Sequence, residues 1–407
     1  MAYNFGVGSE KTLSEVNRFL KPGLKNSFFL FGPRGSGKST WLNKHFQEKT
    51  IFINLLDPSL EYRLAKNPEI LGEMIAADDS SVYVVIDEIQ KLPKLLDLVH
   101  FYIESTDKIF ILTGSSARKL KYGAANLLAG RAFTYNLHPF SFLELEKSLP
   151  EKAALNEVLE WGLLPKIYHL STKDEKQRFL LSYTQTYLKE EVYAEQFIRE
   201  LQPFRLFLEL AAQMNGKILN YNSIAKDVGV DDKTVKNYYS ILEDTLLGFY
   251  LYPFKNSFRK RISSKAKFYF FDTGIVRALR NILSVPLEES TSLYGETFEH
   301  FIILEIVKLC SYYKIDYRFY YLMTKDSAEI DLVVERPGQN YLFIEIKSSK
   351  EVKLESLRNL ENLKEDFNRE NEKQADAICI SRESFTRKLN SGLVIYPWQE
   401  ALQKFFI

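Results

Sequence analysis

Apolar residues fall into short continuous runs through the first 136 residues of the chain. Four runs rich in β-branched and aromatic residues have the length of strands: SFFLF (27–31), TIFINLL (50–56), VYVVID (82–87) and KIFILTG (108–114). Stretches with helical spacing separate them. Strands that are apolar throughout and alternate with helices are typical of a parallel sheet covered on both faces. We therefore predict an α/β domain over residues 1–136.

The pattern changes further along the chain. Residues 137–212 have helical spacing, residues 219–251 predict a helix, a tight turn and a second helix, and a basic strand pair follows to about residue 271. After a helix at 293–311, strands are predicted at 315–322, 328–335, 341–347, 375–381 and 392–397. We place domain boundaries near residues 136, 200 and 285. The predicted domains are 1–136, 137–200, 201–285 and 286–407.

Composition limits the class of protein. The 407 residues are 45% hydrophobic and 26% charged, with a formal net charge of +1, which excludes wholesale disorder and a uniformly basic coat. Two cysteines allow neither a disulfide framework nor a thiolate zinc site. No apolar run approaches the roughly 20 residues that a membrane-spanning helix needs, and the N-terminus has no signal pattern. We expect a cytoplasmic protein without a membrane partner.

The segment GPRGSGKST is the strongest chemical signal. It follows the first strand, precedes a helix and fits the phosphate-loop pattern, in which backbone N–H groups surround phosphate oxygens at a helix N-terminus. Lys38 would reach the β- and γ-phosphates of ATP, Ser39 would bind Mg²⁺, and Thr40 would contribute local packing. The predicted nucleotide contacts in this segment are Gly32, Pro33, Arg34, Gly35, Ser36, Gly37, Lys38, Ser39 and Thr40.

Acidic and hydroxyl residues follow the next two strands of the predicted sheet. Asp87 closes the strand VYVVID and can hold Mg²⁺, and Glu88 can act as the general base that polarises water. Thr113 and Ser115 follow the next strand, where ligands of open parallel sheets bind, although ordinary turn chemistry is the alternative.

Two arginines are candidates for stabilising transition-state charge. Arg131, and less favourably Arg118, could act within the chain or across a subunit interface, which would require a homo-oligomer. An isolated arginine is more often a surface residue.

The segment YNSIAKDVGVDDKTVKNYYSIL has the spacing of a helix-turn-helix, with Gly229 in the turn. A cation-rich segment follows, and we predict that it contacts nucleic-acid phosphates through Lys255, Arg259, Lys260, Arg261, Lys265 and Lys267. The alternative is a protein-packing module, because Asp227, Asp231 and Asp232 would repel phosphate.

A second candidate site lies near the C-terminus. Asp331 and Glu345 fall on consecutive strands, and Lys347 shares a strand face with Glu345. Two carboxylates on adjacent strands can hold one or two Mg²⁺ or Mn²⁺ ions, with Lys347 orienting water and Glu299 binding through water. The alternative is a solubilising E-x-K pattern on an edge strand.

Taken in order, these segments resemble prokaryotic AAA-type ATPases that carry a C-terminal domain related to restriction endonucleases. The resemblance rests on GPRGSGKST, VIDEIQKLP, LTGSSARKL, LLAGRAFTYNLHPFSFLEL, SIAKDVGVDDKTVKNYYSILEDTLLGFYL, FFDTGIVRAL, YGETFEHFI, AEIDLVVE and FIEIKSS. It implies an α/β fold: a P-loop NTPase parallel sheet with a helical lid, a winged helix-turn-helix and a PD-(D/E)xK nuclease-like domain. Ile330 stands where that motif has proline. Because the proline has no chemical role in the motif, this departure changes little. The implied nuclease residues are Asp331, Glu345 and Lys347, with Glu299.

Three functions remain open from the sequence. The first is a Mg²⁺-dependent ATPase that couples nucleotide state to metal-dependent DNA cleavage. The second is an ATP-controlled DNA-binding switch whose nuclease-like domain is inactive, since fold does not fix function. The third is a protein-remodelling ATPase that needs no nucleic acid.

Overall fold

The computed structural model describes residues 16–115, 128, 130–187, 201–254, 265–324 and 327–407. The chain divides into two compact units. The first contains the described residues up to Lys152, with Leu164–Leu170 and Asp244–Leu247. The second contains Ala153–Leu163, the described part of Ser171–Glu243, and the described part of Gly248–Ile407.

A five-stranded parallel sheet forms the centre of the first unit. Its strands are β1 (Phe28–Phe31), β2 (Thr50–Asn54), β3 (Tyr83–Asp87), β4 (Ile109–Gly114) and β5 (Phe133–Asn136), in the order β2-β3-β4-β1-β5. The helices of this unit are α1 (Lys38–His45), α2 (Pro58–Lys66), α3 (Ile70–Ala76), α4 (Leu95–Ser105) and α5 (Phe142–Ser148). The four strands predicted from apolar runs are confirmed. The edge strand β5 was missed, because its four residues FTYN are half-exposed or exposed and lack an apolar run.

The apolar strands explain the core of this unit. Side chains alternate across a strand, so one face of the sheet presents Phe29, Ile53, Val84, Ile86 and Leu112. These pack against buried residues of the flanking helices, among them Leu71 and Leu96. Because every strand is parallel, the carboxyl ends of all five lie along one edge of the sheet.

The second unit is built on an eight-stranded mixed sheet. Its strands are β6 (Gly248–Pro253), β7 (Lys267–Phe270), β8 (Arg318–Met323), β9 (Glu329–Glu335), β10 (Tyr341–Lys347), β11 (Ala375–Ser381), β12 (Arg387–Lys388) and β13 (Val394–Pro397). The order is β12-β13-β11-β10-β9-β8-β6-β7. The strand pair β6–β7, predicted as a wing, joins the C-terminal strands through β6 and β8. The sheet therefore runs across the boundary that the sequence places near residue 285.

Most helices of the second unit lie in stretches predicted to be helical, whereas Thr273–Leu279 and Trp398–Phe406 were not predicted. The helices are α6 (Leu155–Trp161), α7 (Lys173–Ser182), α8 (Leu201–Gln213), α9 (Tyr221–Val228), α10 (Asp232–Asp244, which ends in the first unit), α11 (Thr273–Leu279), α12 (Ser292–Tyr313), α13 (Arg358–Glu370) and α14 (Trp398–Phe406). α9 and α10 are the two helices predicted on either side of Gly229, whose φ of 78° lies in the left-handed region. Their buried residues include Ile224, Ala225, Val228, Val235 and Leu242. No helix in the described part of the chain could span a bilayer.

Candidate functional site

The loop between β1 and α1 has the backbone conformation of a phosphate cradle. Gly35 and Gly37 have φ values of 77° and 95°, which residues with a side chain rarely adopt. A Cβ on Gly32 would lie 2.2 Å from the carbonyl oxygen of Leu137, so this position also requires glycine. Gly37 caps α1 without a side-chain hydrogen bond to the first turn. The first N–H groups of α1 therefore lack a side-chain cap, which favours an anion there.

Lys38 lies against this loop. Its side chain is buried, and Nζ donates hydrogen bonds to the carbonyl oxygens of Gly32 at 2.7 Å and Pro33 at 3.4 Å. Arg34 and Thr40 are exposed on either side of the loop, and Ser36 is buried with an Oγ that has no hydrogen-bond partner. The loop thus holds one ammonium group, and the uncapped backbone N–H groups of α1 follow it.

A hydrogen-bonded group joins the phosphate loop to the ends of β3 and β4. Oγ of Ser39 donates to Oδ2 of Asp87 at 3.1 Å. Thr113 donates from its hydroxyl to the other oxygen of Asp87, and it accepts from the backbone N–H of Glu88 at 3.2 Å. Asp87 is buried, with 2% of its surface exposed. A hydroxyl and a carboxylate are oxygen ligands of the kind that Mg²⁺ prefers, so Ser39 and Asp87 fit the ion.

Glu88 is held in an unusual position by a residue that the sequence analysis did not single out. Its φ of 61° places it in the left-handed region, which a non-glycine residue adopts only where its surroundings enforce it. The amide of Gln90 donates one hydrogen bond to the carboxylate of Glu88 and another to Oγ of Ser115 at 3.1 Å. The only sequence signal for Gln90 is its place two residues after Glu88.

The two predicted arginines lie elsewhere or outside the described residues. Arg131 forms an ion pair with Glu104, and both side chains are substantially exposed. Arg131 precedes β5, and Glu104 ends α4 before β4, so both lie at the sheet edge opposite the phosphate loop. Arg131 therefore does not join Lys38 and Glu88 within one chain. Arg118 lies outside the described residues.

Arg18 is a second residue that the sequence analysis missed. Its guanidinium donates to Oε2 of the buried Glu144 at 3.0 Å and to the carbonyl oxygen of Ser36 at 3.0 Å. Glu144 also accepts from the backbone N–H of Ser141 at 3.0 Å, within the cap of α5. This buried ion pair fastens the phosphate loop to α5.

An open cavity of about 740 Å³ lies beside α1. Gly37, Thr40, Trp41, Phe140 and Arg18 are among the residues that line it. Trp41 is buried, and its indole Nε1 has no hydrogen-bond partner. The cavity therefore lies next to the phosphate loop and has aromatic side chains in its lining.

The carboxylates predicted near the C-terminus come together in the second unit. Oδ2 of Asp331 accepts from the backbone N–H of Ile346 at 2.7 Å. Oε1 of the buried Glu345 accepts from Nζ of Lys347 at 2.5 Å, whereas its Oε2 has no hydrogen-bond partner. Burial raises the pKa of Asp331, and the charge of Glu345 raises it further. The predicted proximity of Asp331, Glu345 and Lys347 is confirmed.

Glu299 approaches the same group from α12. Its Oε1 accepts a hydrogen bond from the hydroxyl of Tyr269 at 2.8 Å. Burial raises the pKa of Glu299 to about 7, and the charge of Asp331 adds to the rise while Lys267 opposes it. Within the described ranges, however, no group of three or more His, Cys, Asp or Glu side chains is arranged to hold a metal ion. The geometry therefore does not support the metal site predicted for Glu299, Asp331 and Glu345.

The structure corrects the role predicted for Lys267. This residue is 4% exposed, and its Nζ forms an ion pair with Glu329 at 2.5 Å. It cannot contact nucleic acid as part of an exposed basic surface. Lys265 is exposed, and the predicted contacts Lys255, Arg259, Lys260 and Arg261 lie outside the described residues.

Comparison with known proteins identifies one part of the chain. Residues 25–146 match the model of a family described as an AAA domain. Residues 152–285 and 294–401 match models described as domains of unknown function, DUF8612 and DUF4143. The AAA-type domain implied by the resemblance is thereby confirmed, whereas the other two matches name no activity.

Two relatives extend over most of the chain. An uncharacterized protein of Methanocaldococcus jannaschii is 26% identical over 443 aligned positions, which cover 98% of this chain and 88% of the relative. Another, from Mycobacterium tuberculosis, is 26% identical over 324 positions, which cover 78% of this chain and 69% of the relative.

Solved structures show weaker similarity. A Walker-type ATPase of Pyrococcus abyssi has a TM-score of 0.42 at 15% identity and covers 62% of this chain and 90% of its own. The ORC2 protein of Aeropyrum pernix has a TM-score of 0.35 at 14% identity and covers 64% of this chain and 89% of its own. Both TM-scores are below 0.5.

Proposed function

We propose that the AAA-type domain of residues 25–146 is a Mg²⁺-dependent ATP hydrolase. The observation that carries this proposal is the hydrogen-bonded group of Ser39, Asp87, Thr113 and Glu88 beside the phosphate loop. This group combines oxygen ligands for Mg²⁺ with a carboxylate that can take a proton from water. Hydrolysis requires both, together with a site that holds the phosphates.

Residues of the phosphate loop would bind the polyphosphate. The uncapped N–H groups at the start of α1 and the loop between Gly32 and Gly37 would donate hydrogen bonds to phosphate oxygens. Lys38 already lies against the loop, where its ammonium would exchange the carbonyl oxygens of Gly32 and Pro33 for phosphate oxygens. Charge-assisted hydrogen bonds of this kind are stronger than those between neutral groups.

Ser39 and Asp87 would hold Mg²⁺, which neutralises charge on the phosphates when it is bound. Glu88 would accept a proton from the water that attacks the γ-phosphorus, and ADP would leave as the bond to its β-phosphate oxygen breaks. Gln90 would orient the carboxylate of Glu88 through the hydrogen bond between them. Thr113 would orient Asp87 and fix the backbone of Glu88.

The cavity beside α1 has the composition that a nucleoside needs. Trp41 and Phe140 line the cavity, so a base placed there would contact aromatic side chains. Thr40 and Gly37 line the cavity and also belong to the phosphate loop, so a nucleotide could extend from one to the other. This continuity favours a nucleoside triphosphate over inorganic polyphosphate.

The experiment is to measure ATP binding and turnover of the purified chain with Mg²⁺. Glu88→Gln should bind ATP with unchanged affinity and reduce kcat by at least about 100-fold, the usual contribution of a general base. Lys38→Ala should lose ATP binding. Lys66→Ala, which removes an exposed lysine from α2, is the control and should keep both properties. Full turnover by the Glu88→Gln variant would contradict the assigned role of this residue.

Nucleic-acid binding is a second candidate function, favoured by α9 and α10. These helices are joined by a turn at Gly229, and the exposed face carries Lys226, Lys233 and Asn237. Against this, the nearby Lys236 is already paired with Asp232 at 2.8 Å. We do not propose cleavage of DNA, because the described residues contain no group of three or more His, Cys, Asp or Glu side chains that could hold a metal ion.

The test of this second function is fluorescence anisotropy with labelled duplex and single-stranded DNA at two salt concentrations. Charge reversal at Lys226 and Lys233 should weaken binding and reduce its salt dependence if phosphate contacts are made by this face. Reversal at Lys364 and Lys373 gives a matched control on another surface of the same unit. Equal effects of the two pairs would argue against a helix-turn-helix interface.

A further inference from the structure

The charged group in the second unit contains more members than the sequence analysis named. We define it as the carboxylate–lysine cluster, which consists of Glu299, Glu329, Asp331, Glu345, Lys267 and Lys347. The four acids come from α12, β9 and β10, whereas Lys267 comes from β7. Carboxylate oxygens are the ligands that divalent cations prefer, so the cluster has the donor atoms of a metal site.

Lys267 lies among these carboxylates rather than at the surface. Its Nζ is 2.5 Å from Oε1 of Glu329 and 3.9 Å from Oε1 of Glu299, and it lies 5.2 Å from the ring centroid of Tyr321. The side chain is only 5% exposed. Burial alone lowers the pKa of Lys267, but Glu299 and Glu329 outweigh this effect and raise it to about 12. The ammonium group is therefore charged at neutral pH.

The second lysine has a different partner. Nζ of Lys347 binds Oε1 of Glu345 at 2.5 Å, on the same strand. The two lysines thus neutralise different carboxylates. Lys347 neutralises Glu345 of β10, whereas Lys267 neutralises Glu329 of β9 and Glu299 of α12. Loss of Lys267 would leave the acids of β9 and α12 without the cation that contacts them.

The position of Lys267 explains why the acids do not present a metal site. A divalent ion needs several oxygens converging at about 2.0–2.6 Å. The ammonium of Lys267 already contacts an oxygen of Glu329 and lies near one of Glu299. It would also repel a divalent cation at that position. The carboxylate oxygens could thus bind a metal ion, but they are arranged around the ammonium group of Lys267.

We propose that Lys267 is a built-in cation that takes the place of a metal ion in the carboxylate–lysine cluster. The wild-type cluster accordingly binds no divalent metal. Replacement of Lys267 by an uncharged residue frees the oxygens of Glu299 and Glu329 that contact its ammonium group, and a divalent ion then binds between these two carboxylates. The charge of the carboxylates at this point of the second unit is thus balanced by an internal ammonium group.

The test is a Mn²⁺ titration of the full-length chain, followed by calorimetry without nucleotide. All proteins carry Ser39→Ala, which removes the metal-binding hydroxyl of the phosphate loop. Lys267→Met should gain one stoichiometric Mn²⁺ site that the parent protein lacks, because one positive charge has been removed beside the ion. Adding Glu329→Gln to Lys267→Met should abolish this binding. Lys267→Arg, which keeps the charge, should behave as the parent.

Lys265→Met is the matched control, because this lysine is exposed two residues earlier and its loss should leave Mn²⁺ binding unchanged. Circular dichroism establishes which variants fold. If Lys267→Met does not fold, Lys267→Gln is used in its place. The parent protein gives an independent test, since Asp331→Asn should not alter its Mn²⁺ binding. Stoichiometric Mn²⁺ binding by the parent that Asp331→Asn removes would overturn the proposal. A folded Lys267→Met or Lys267→Gln variant without Mn²⁺ binding would overturn it as well.

Discussion

The side-chain amide of Gln90 donates a hydrogen bond to the carboxylate of Glu88, the residue to which we assign proton acceptance. The same amide nitrogen donates to Ser115, at the end of the neighbouring strand. Glu88 has a left-handed backbone, so its side chain depends on such contacts for its direction. Gln90 is thus a positioning residue that couples the ends of β3 and β4.

Replacement of Gln90 by leucine should reduce kcat for ATP by about 10- to 100-fold, because a misplaced general base loses most of its effect. KM should change little, since the hydrogen bonds of Gln90 go to Glu88 and Ser115. Steady-state kinetics will separate the two parameters. Lys94→Met alters an exposed residue nearby and should have no effect. An increase in KM with constant kcat would show that Gln90 affects binding instead.

Gly32→Ala should abolish nucleotide binding and destabilise the first unit. The new Cβ would lie 2.2 Å from the carbonyl oxygen of Leu137, and a backbone atom cannot move aside as a flexible side chain does. Overpacking of this kind costs about 1–3 kcal/mol. Thermal unfolding with and without ATP will measure both effects. Gly295→Ala, whose Cβ would meet only Ser348 Oγ at 3.7 Å, should retain ATP-dependent stabilisation.

Arg18→Met should lower the free energy of unfolding by about 3 kcal/mol, since it leaves the buried carboxylate of Glu144 without its cation. It also frees the carbonyl group of Ser36 in the phosphate loop, so KM for ATP should rise. Urea unfolding and steady-state kinetics will measure these two effects. Arg178→Met breaks an exposed ion pair with Asp174 and should cost less than about 1 kcal/mol. If both substitutions lower the free energy of unfolding equally, the ion pair of Arg18 with Glu144 does not stabilise the first unit as a buried pair.

Arg131 lies at the sheet edge away from the phosphate loop, so any role in hydrolysis requires a second copy of the chain. If Arg131 acts in this way, Arg131→Ala should reduce turnover by about 1000-fold, as loss of an arginine finger does. Mixing this variant with Glu88→Gln should restore activity, because each copy supplies what the other lacks. Turnover by Arg131→Ala at the wild-type rate, at all protein concentrations, would rule out the role. Arg63→Ala is the exposed control on α2.

The raised pKa of Glu299 predicts a pH-dependent stability. The folded chain keeps this proton to about pH 7, whereas the unfolded chain loses it near pH 4.5. Between these values the folded chain binds more protons, so the contribution of Glu299 to the free energy of unfolding falls as pH rises. Glu299→Gln cannot titrate and should gain about 2–3 kcal/mol relative to wild type between pH 4.5 and 7.5.

Urea unfolding at several pH values will measure this difference. Glu296→Gln, on the same helix and more exposed, is the control and should follow the wild-type curve. Parallel curves for wild type and Glu299→Gln would contradict the assigned burial of this carboxyl group.

The sequence alone was sufficient to predict those parts of the candidate site whose residues are contiguous in the chain. The phosphate loop needs glycines, a lysine and a hydroxyl at fixed spacing between a strand and a helix, and these features are all local. Asp87 and Glu88 could also be predicted from the sequence. They follow an apolar parallel strand, and the end of that strand places them at one edge of the sheet. The register of β9 and β10 also brought Asp331 near Glu345, since the turn that joins the two strands is short.

Only the tertiary structure decided which polar residues are buried together. Lys267 belongs to a basic segment in the sequence, yet the fold turns it towards Glu329, which lies 62 residues later. Arg18 and Glu144 are separated by 126 residues, and neither has a local pattern that predicts their ion pair. Desolvation acts on neighbours in space, so the charge state of Glu299 and the partner of each lysine follow from packing rather than from spacing along the chain.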